Sequence, residues 1–282
     1  MRENFSSYII NECKRLRLCG ARLFFPFHSV FKTPVPCLEI GSGKMCSILV
    51  GAHHGMEYIT AIVLVKFASE LLSDKEITSK RTVFILPMLN PDGCDIAIGD
   101  IDEKSPLFGR IIGAKRADLP FWQANANGID LNHNYNAGFE KCKALERELG
   151  IFSPCRSRYG GTYPESEPET RGICELSRHL KKRLRTAVAL HTQGEEIYFD
   201  YNGKTPQHAR ELAERLSSSS GYALSVPERA ASHGGYKDYI IEAFNIPAFT
   251  IECGRGKNPL PQSDIDDIFK KISPMLKIAT SF

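Results

Sequence analysis

The chain of 282 residues has a single tryptophan and five methionines, and none of its cysteines form a Cys-x-x-Cys pair. Its nine cysteines are an odd number. With that spacing they indicate neither a disulfide framework nor a cysteine-rich structural zinc cluster. Cys46, Cys94 and Cys253 sit in or beside apolar runs and read as small core residues. No apolar stretch reaches about 18 residues, so no membrane-spanning helix is expected. Asn11, Glu12 and Lys14 interrupt the apolar Tyr8-Ile-Ile, so the start of the chain does not read as a secretion signal. The expected compartment is the cytoplasm. Excess charge is scarce: 36 Lys and Arg against 33 Asp and Glu leave +3, too little to argue for a nucleic-acid or membrane partner. The densest basic run, Lys181 to Arg185, reads as the solvated end of a helix, where cations suit the dipole. Internal repeats, low-complexity runs and linkers are absent, and Ser217–Ser220 is a short helix-to-strand loop.

What is present is an alternation of short apolar runs with helical stretches, which predicts an α/β protein. Its expected core is a mixed, mostly parallel central sheet flanked by helices. Strands are predicted at Ser47–His54, Thr82–Leu89, Ala187–His191, Ile197–Asp200, Tyr222–Val226 and from Ala248 to Glu252. Helices are predicted at Phe5–Leu18, Glu57–Leu72, Glu167–Arg185, Pro206–Ser217, Tyr236–Phe244 and Gln262–Ala279. Ser166-Glu-Pro-Glu reads as a helix start, with Ser166 as N-cap, proline in the first turn and Glu169 at the third helical position.

His54 and Glu57 stand three apart where a strand runs into a helix, close enough to share one ion. Zinc accepts such nitrogen and oxygen ligands at about 2.0–2.2 Å. The pair alone is common by chance. His191 ends the apolar Ala187-Val-Ala-Leu and is a third candidate ligand, since open α/β sheets place their sites at the carboxyl ends of strands; a hydrogen-bonded strand-edge histidine is the alternative. Glu252 is a charge inside the apolar strand Ala248-Phe-Thr-Ile, and a buried carboxylate needs a partner or a task. A carboxylate beside metal-activated water is the arrangement of metal-assisted hydrolysis. Asp130, in Asn127-Gly-Ile-Asp, reads as turn chemistry.

Seven segments in order resemble the zinc carboxypeptidase family, from about Leu38 to the C-terminus: Gly51-Ala-His-His-Gly-Met-Glu-Tyr-Ile-Thr, Asn90-Pro-Asp-Gly, Gly128-Ile-Asp-Leu-Asn-His-Asn, Tyr159-Gly-Gly-Thr-Tyr-Pro-Glu-Ser-Glu-Pro-Glu, Leu190-His-Thr, Gly235-Tyr-Lys-Asp-Tyr and Phe249-Thr-Ile-Glu. The resemblance implies a zinc peptidase domain at 37–282, with residues 1–36 as an extension packed on it. It implies one zinc ion held by His54, Glu57 and His191, with Glu252 as general base and acid. Asp130 would orient His54 from behind, as ligating histidines commonly require, and Asn132 would bind a substrate carboxylate.

The chain departs from that family at three places. His133 stands where arginine would clamp a terminal carboxylate, and histidine is neither always charged nor forked. Ala230 falls where a mobile tyrosine is expected; Tyr198, Tyr236 and Tyr239 are the local candidates to replace it. Gln123 falls where an arginine would polarise the scissile carbonyl, with Lys115 and Arg116 nearby. In these departures, and in Asp130-Leu-Asn-His-Asn-Tyr and Glu252-Cys-Gly-Arg-Gly-Lys-Asn-Pro-Leu-Pro, the chain is similar to the bacterial γ-D-glutamyl-meso-diaminopimelate peptidases. That implies a peptidoglycan-derived peptide substrate rich in carboxylates, for which Lys237, Arg255 and Lys257 are candidate contacts. The competing expectations are a carboxypeptidase releasing C-terminal residues, a relative that only binds wall peptides, and, more remotely, a deacylase.

Overall fold

Apolar runs around Ile48, Val188 and Phe249 lie side by side as buried strands because each is short, rich in β-branched residues and closed by a turn. The computed structural model describes residues 3–282. Its strands are β1 (Arg22–His28), β2 (Pro34–Gly41), β3 (Met45–Val50), β4 (Arg81–Leu86), β5 (Leu184–His191), β6 (Glu196–Tyr198), β7 (Ala223–Leu224) and β8 (Ala248–Glu252). They form one sheet in the order β1-β2-β4-β3-β5-β8-β6-β7. The central four, β4-β3-β5-β8, are parallel. At one edge β2 and β1 add antiparallel, and at the other β6 pairs antiparallel with β8 and parallel with β7.

The helices are α1 (Phe5–Leu18), α2 (Ile59–Ser73), α3 (Lys75–Thr78), α4 (Pro91–Ile98), α5 (Phe139–Glu148), α6 (Pro168–Leu180), α7 (Ala209–Ser220), α8 (Tyr236–Phe244) and α9 (Ile265–Ser281). Alternate strand residues face opposite layers, as a period of two requires. Leu49, Val188, Phe249 and Ile251 pack with Ile9, Leu64, Phe67, Leu212 and Leu276 from α1, α2, α7 and α9. Ile48, Val50, Ala187 and Ala189 pack with Ile173, Tyr236 and Ile240 from α6 and α8. Both faces being covered explains why the central strands read as continuous apolar runs rather than alternating ones. Each large side chain so buried stabilises the fold by about 1.5–3 kcal/mol.

Several predicted boundaries move. The strand predicted at Ser47–His54 is Met45–Val50, and the helix predicted from Glu57 begins at Ile59 after a 3-10 turn at Gly55–Glu57. The turn interposes because Ala52 adopts a left-handed φ of 49° and ends the extended backbone before the histidines. The strand predicted to run to Leu89 stops at Leu86. The helix predicted at Glu167–Arg185 ends at Leu180, and Leu184 already belongs to β5. The basic run is therefore a turn leading into β5 rather than a helix end; Arg183 Nε donates to the Lys44 carbonyl at 2.8 Å. The N-cap of that helix is Glu167 with Pro168 first, not Ser166. Ser166 Oγ instead accepts from Asn134 Nδ2 at 2.9 Å.

Candidate active site

His54, Glu57, His191 and Glu252 come from three neighbouring parallel strands of the sheet, all at their carboxyl ends. Beyond β3 the chain turns through Gly51 and Ala52, whose carbonyls accept from Leu89 and Asn90 N–H at 3.0 Å each. The Asn90-Pro-Asp-Gly segment is a staple for this turn. Asn90 Nδ2 donates to the carbonyls of His53 and Ala124 at 3.0 Å, and Asn90 Oδ1 caps α4 through Gly93 N–H. Gly55 is required by close approach: a Cβ there would meet the Gly93 carbonyl oxygen at 2.2 Å. Its N–H donates to the Gln123 carbonyl and that of Met56 to the Trp122 carbonyl, so the 3-10 turn carrying Glu57 is pinned from two sides.

The Glu57 carboxylate sits between the two histidines, with Oε1 2.8 Å from His54 Nδ1 and Oε2 2.9 Å from His191 Nδ1. Burial works against its charge, yet the two imidazoles outweigh burial and hold its pKa down to about 2. Behind it, His54 Nε2 lies 3.0 Å from Asp130 Oδ1. Asp130 also accepts the N–H of Asn132 at 3.1 Å and of Arg158 at 2.8 Å. Buried though it is, Asp130 is held well below the usual carboxylate range by His54 and His133. His54 is likewise raised despite burial, because Glu57 and Asp130 bracket it.

Three donor atoms from His54, Glu57 and His191 lie within 4.8 Å of one another. They are the nitrogen and oxygen set that catalytic zinc takes, with a position left for water or substrate. With neutral imidazoles the buried pair Glu57 and Asp130 carries two negative charges, which one divalent cation balances. His191 Nε2 and His53 Nδ1 have no hydrogen-bond partner among the described residues, so His191 has only its Nδ1 face engaged, toward Glu57. The residues present fit the ion.

Glu252 ends β8 beside His191 on β5, and the two are register partners. Its carboxyl is pushed well above the ordinary range by burial, with Glu57 and Glu196 adding and His54 opposing. A pocket of about 40 Å³ joins Glu252 to Asn132, Tyr198, Lys237 and Thr250. Asn132 Oδ1 accepts the first N–H of α8, from Tyr236, at 3.1 Å. Lys237 is buried, its ammonium donating to Asp238 Oδ1 and to the Asp200 carbonyl at 2.5 Å each. His133 is buried too, and its Nδ1 faces Cys142 Sγ at 3.3 Å. Burial lowers its pKa, so it offers no permanent charge of the kind arginine would bring.

Of the three tyrosines considered in place of Ala230, Tyr198 lines the pocket. Tyr236 bonds Ser177 at 2.9 Å and Tyr239 accepts from Arg178 at 3.1 Å, which gives both packing roles. Lys115 and Arg116 lie exposed, and Arg255 pairs with Glu195 at 2.8 Å. Sequence reasoning missed Arg158. Its backbone N–H holds Asp130, its φ is 67°, and its guanidinium makes no ion pair among the described residues. Its one signal was its place directly before Tyr159-Gly-Gly. It also missed Glu196, which stands opposite Glu252 in β6. The Ser-Glu-Pro-Glu segment supports rather than reacts: Glu167 and Glu169 accept from Asn125 Nδ2 at 2.8 and 3.2 Å.

A sequence profile described as zinc carboxypeptidase matches residues 29–272. A γ-D-glutamyl-L-diamino acid endopeptidase of Lysinibacillus sphaericus is 30% identical, over 94% of this chain and 69% of that protein. Among solved structures, bovine thrombin-activatable fibrinolysis inhibitor superposes with a TM-score of 0.73 at 20% identity, covering 98% of this chain and 94% of that one. The murein-tripeptide amidase MpaA of Escherichia coli O157 superposes with a TM-score of 0.58 at 19% identity, covering 92% of each chain.

Proposed function

The chain belongs to the zinc carboxypeptidase family and is a zinc-dependent metallopeptidase, and from that premise we propose that it hydrolyses the amide between γ-D-glutamate and meso-diaminopimelate in peptidoglycan stem peptides. His54, Glu57 and His191 would hold the zinc ion, which when bound would supply Lewis-acid polarisation. Asp130 fixes the ring of His54 by accepting from Nε2, which leaves Nδ1 turned toward Glu57. The Glu252 carboxylate takes a proton from the attacking water and returns it to the leaving amine.

The substrate's carboxylates meet Asn132 and Lys237, which line the pocket beside Glu252, while His133, expected with them, is buried next to Asn132 and faces Cys142 instead. Lys237 spends one donor on Asp238 and one on the Asp200 carbonyl, and an ammonium has three donors, so one remains for a substrate carboxylate. Arg158, whose backbone N–H holds Asp130, adds a guanidinium that makes no ion pair among the described residues. The likeness to the Lysinibacillus endopeptidase over nearly the whole chain is the observation that carries the choice of bond. His133 in place of an arginine fork supports it, because a terminal α-carboxylate clamp is incomplete. All nine cysteines are unpaired, which favours action in a reducing compartment, the cytoplasm, on small wall peptides during turnover.

The test is mass spectrometry of products from zinc-loaded protein given L-Ala-γ-D-Glu-meso-diaminopimelate beside a hippuryl-type carboxypeptidase substrate. Release of diaminopimelate from the first with the second intact is expected. Cleavage of the second alone would overturn the assignment in favour of a C-terminal exopeptidase, and cleavage of neither in favour of a binding protein.

A further inference from the structure

A second group of metal-type donors lies beyond Asp130, on the far side of the turn it begins. His133 closes that 3-10 turn, at Leu131–His133, and Cys142 and Glu146 stand four apart on one face of α5. Cys142 Sγ is 3.3 Å from His133 Nδ1 and 3.7 Å from Glu146 Oε1. All three residues are buried, and their donor atoms lie within 4.8 Å of one another. Ligand bonds of about 2.0–2.3 Å around a tetrahedral ion set neighbouring nitrogen, oxygen and sulfur donors about 3.6 Å apart. The two sulfur distances bracket that edge.

Hydrogen bonding satisfies Glu146, which accepts the Gly160 N–H at 2.8 Å on Oε1 and the Lys143 ammonium on Oε2, and leaves the weak link at Cys142. One thiol proton faces His133 Nδ1, the His133 carbonyl at 3.9 Å and Glu146 Oε1, and sulfur is a weak donor to any of them. A nucleophilic role is excluded by access, since Cys142 is only 2% exposed. Glu146, by contrast, borders a surface groove of about 320 Å³ together with Lys143, Arg147 and Tyr159, which gives a small ion a way in and a water a fourth position.

We propose that His133, Cys142 and Glu146 form a second cation site, for a borderline-soft divalent ion of the zinc class. On binding, the cation replaces the thiol proton of Cys142, which leaves to solvent; a metal–sulfur bond forms and nothing is oxidised or reduced. Thiolate and carboxylate together neutralise the ion. Lys143, now paired with Glu146, is left free to face the groove. The ion fastens α5 to the turn that carries Asp130 and Asn132, so its role is to position that turn.

The experiment is a cobalt(II) titration of the full-length, metal-stripped protein, read by near-ultraviolet and visible absorption. A thiolate ligand gives a near-ultraviolet charge-transfer band, which His54, Glu57 and His191 cannot produce. Two equivalents per chain are expected, one of them carrying the band. Cys142→Ser and the shape-preserving Glu146→Gln should each abolish the band and leave the other equivalent bound. Wild-type protein that saturates at one equivalent without the band would overturn the proposal, as would a band surviving Cys142→Ser. The readout does not involve catalysis, so it stands or falls separately from the choice of substrate.

Discussion

His191 and Glu252 are the last register partners of two adjacent parallel strands, and Cys253 N–H donates to the His191 carbonyl at 2.7 Å immediately beyond them. The candidate proton carrier is therefore placed beside a candidate ligand by main-chain bonds. A loop could not fix it so closely. The separation does not depend on either side chain.

Replacing Glu252 with glutamine keeps the shape and removes the proton carrier. We expect kcat to fall by about 10²–10⁴-fold, the usual contribution of such a group, with bound zinc unchanged by elemental analysis. A fully active, zinc-loaded variant would contradict the role.

Glu57→Gln should act on binding itself. The two histidines share this one carboxylate at 2.8 and 2.9 Å, so both lose their common anionic partner. Calorimetry of the native protein should show a zinc-dependent rise in melting temperature, worth about 2.7 kcal/mol at a hundredfold excess over Kd. In the variant the rise should vanish. A variant with an undiminished rise would remove Glu57 from the ligand set.

Gly55→Ala introduces one methyl group against the Gly93 carbonyl. Overpacking of this kind costs about 1–3 kcal/mol, and the displaced segment carries both His54 and Glu57. Weaker zinc binding should accompany the loss of stability in chemical denaturation. Unchanged affinity with lowered stability would show that the 3-10 turn adjusts independently of the metal ligands.

Glu169 gives stability a pH dependence with a definite sign. Burial, with Asp92 and Glu167 adding, raises its pKa from 4.5 to about 8. Between those values the folded protein holds a proton that the unfolded chain has released, so folding stability falls as pH rises through that window. The slope from this group approaches about 1.4 kcal/mol per pH unit. Glu169→Gln, which imitates the neutral acid, should flatten the denaturation midpoint between pH 5 and 8. An unaltered slope would show that Glu169 is ionised in the folded state.

The candidate site was legible because its residues interrupt apolar runs: a charge at Glu252 and an imidazole at His191 are conspicuous inside buried strands. The helices at Phe5–Leu18 and Tyr236–Phe244 were legible from their spacing and agree with the structure residue for residue. β1 and β2 were not read. Pro26, Pro34 and Pro36 lie within them, and proline argues against a strand except at edges and bulges. The register of this pair shifts between Phe24 and Phe27, which accommodates Pro26. The run from Lys181 to Arg185 was misplaced because its spacing continues the helix, whereas β-pairing of Leu184 with Cys46 overrides it. Arg158 was invisible because its contribution to Asp130 is made by its backbone, which no side-chain pattern records.

On the proposed reading, cleavage and one wall of the substrate pocket are anchored in different parts of this chain. His54, His191 and Glu252 hang from strands paired on both edges and packed on both faces, whereas Pro227 and Ala231 of the pocket wall belong to the connection between β7 and α8, with Ala231 closing a 3-10 turn at Arg229–Ala231. Substitutions in that segment can reshape what enters without loosening what cuts. A lineage carrying this scaffold can therefore drift from one peptide to another by small steps, each leaving a working hydrolase behind it.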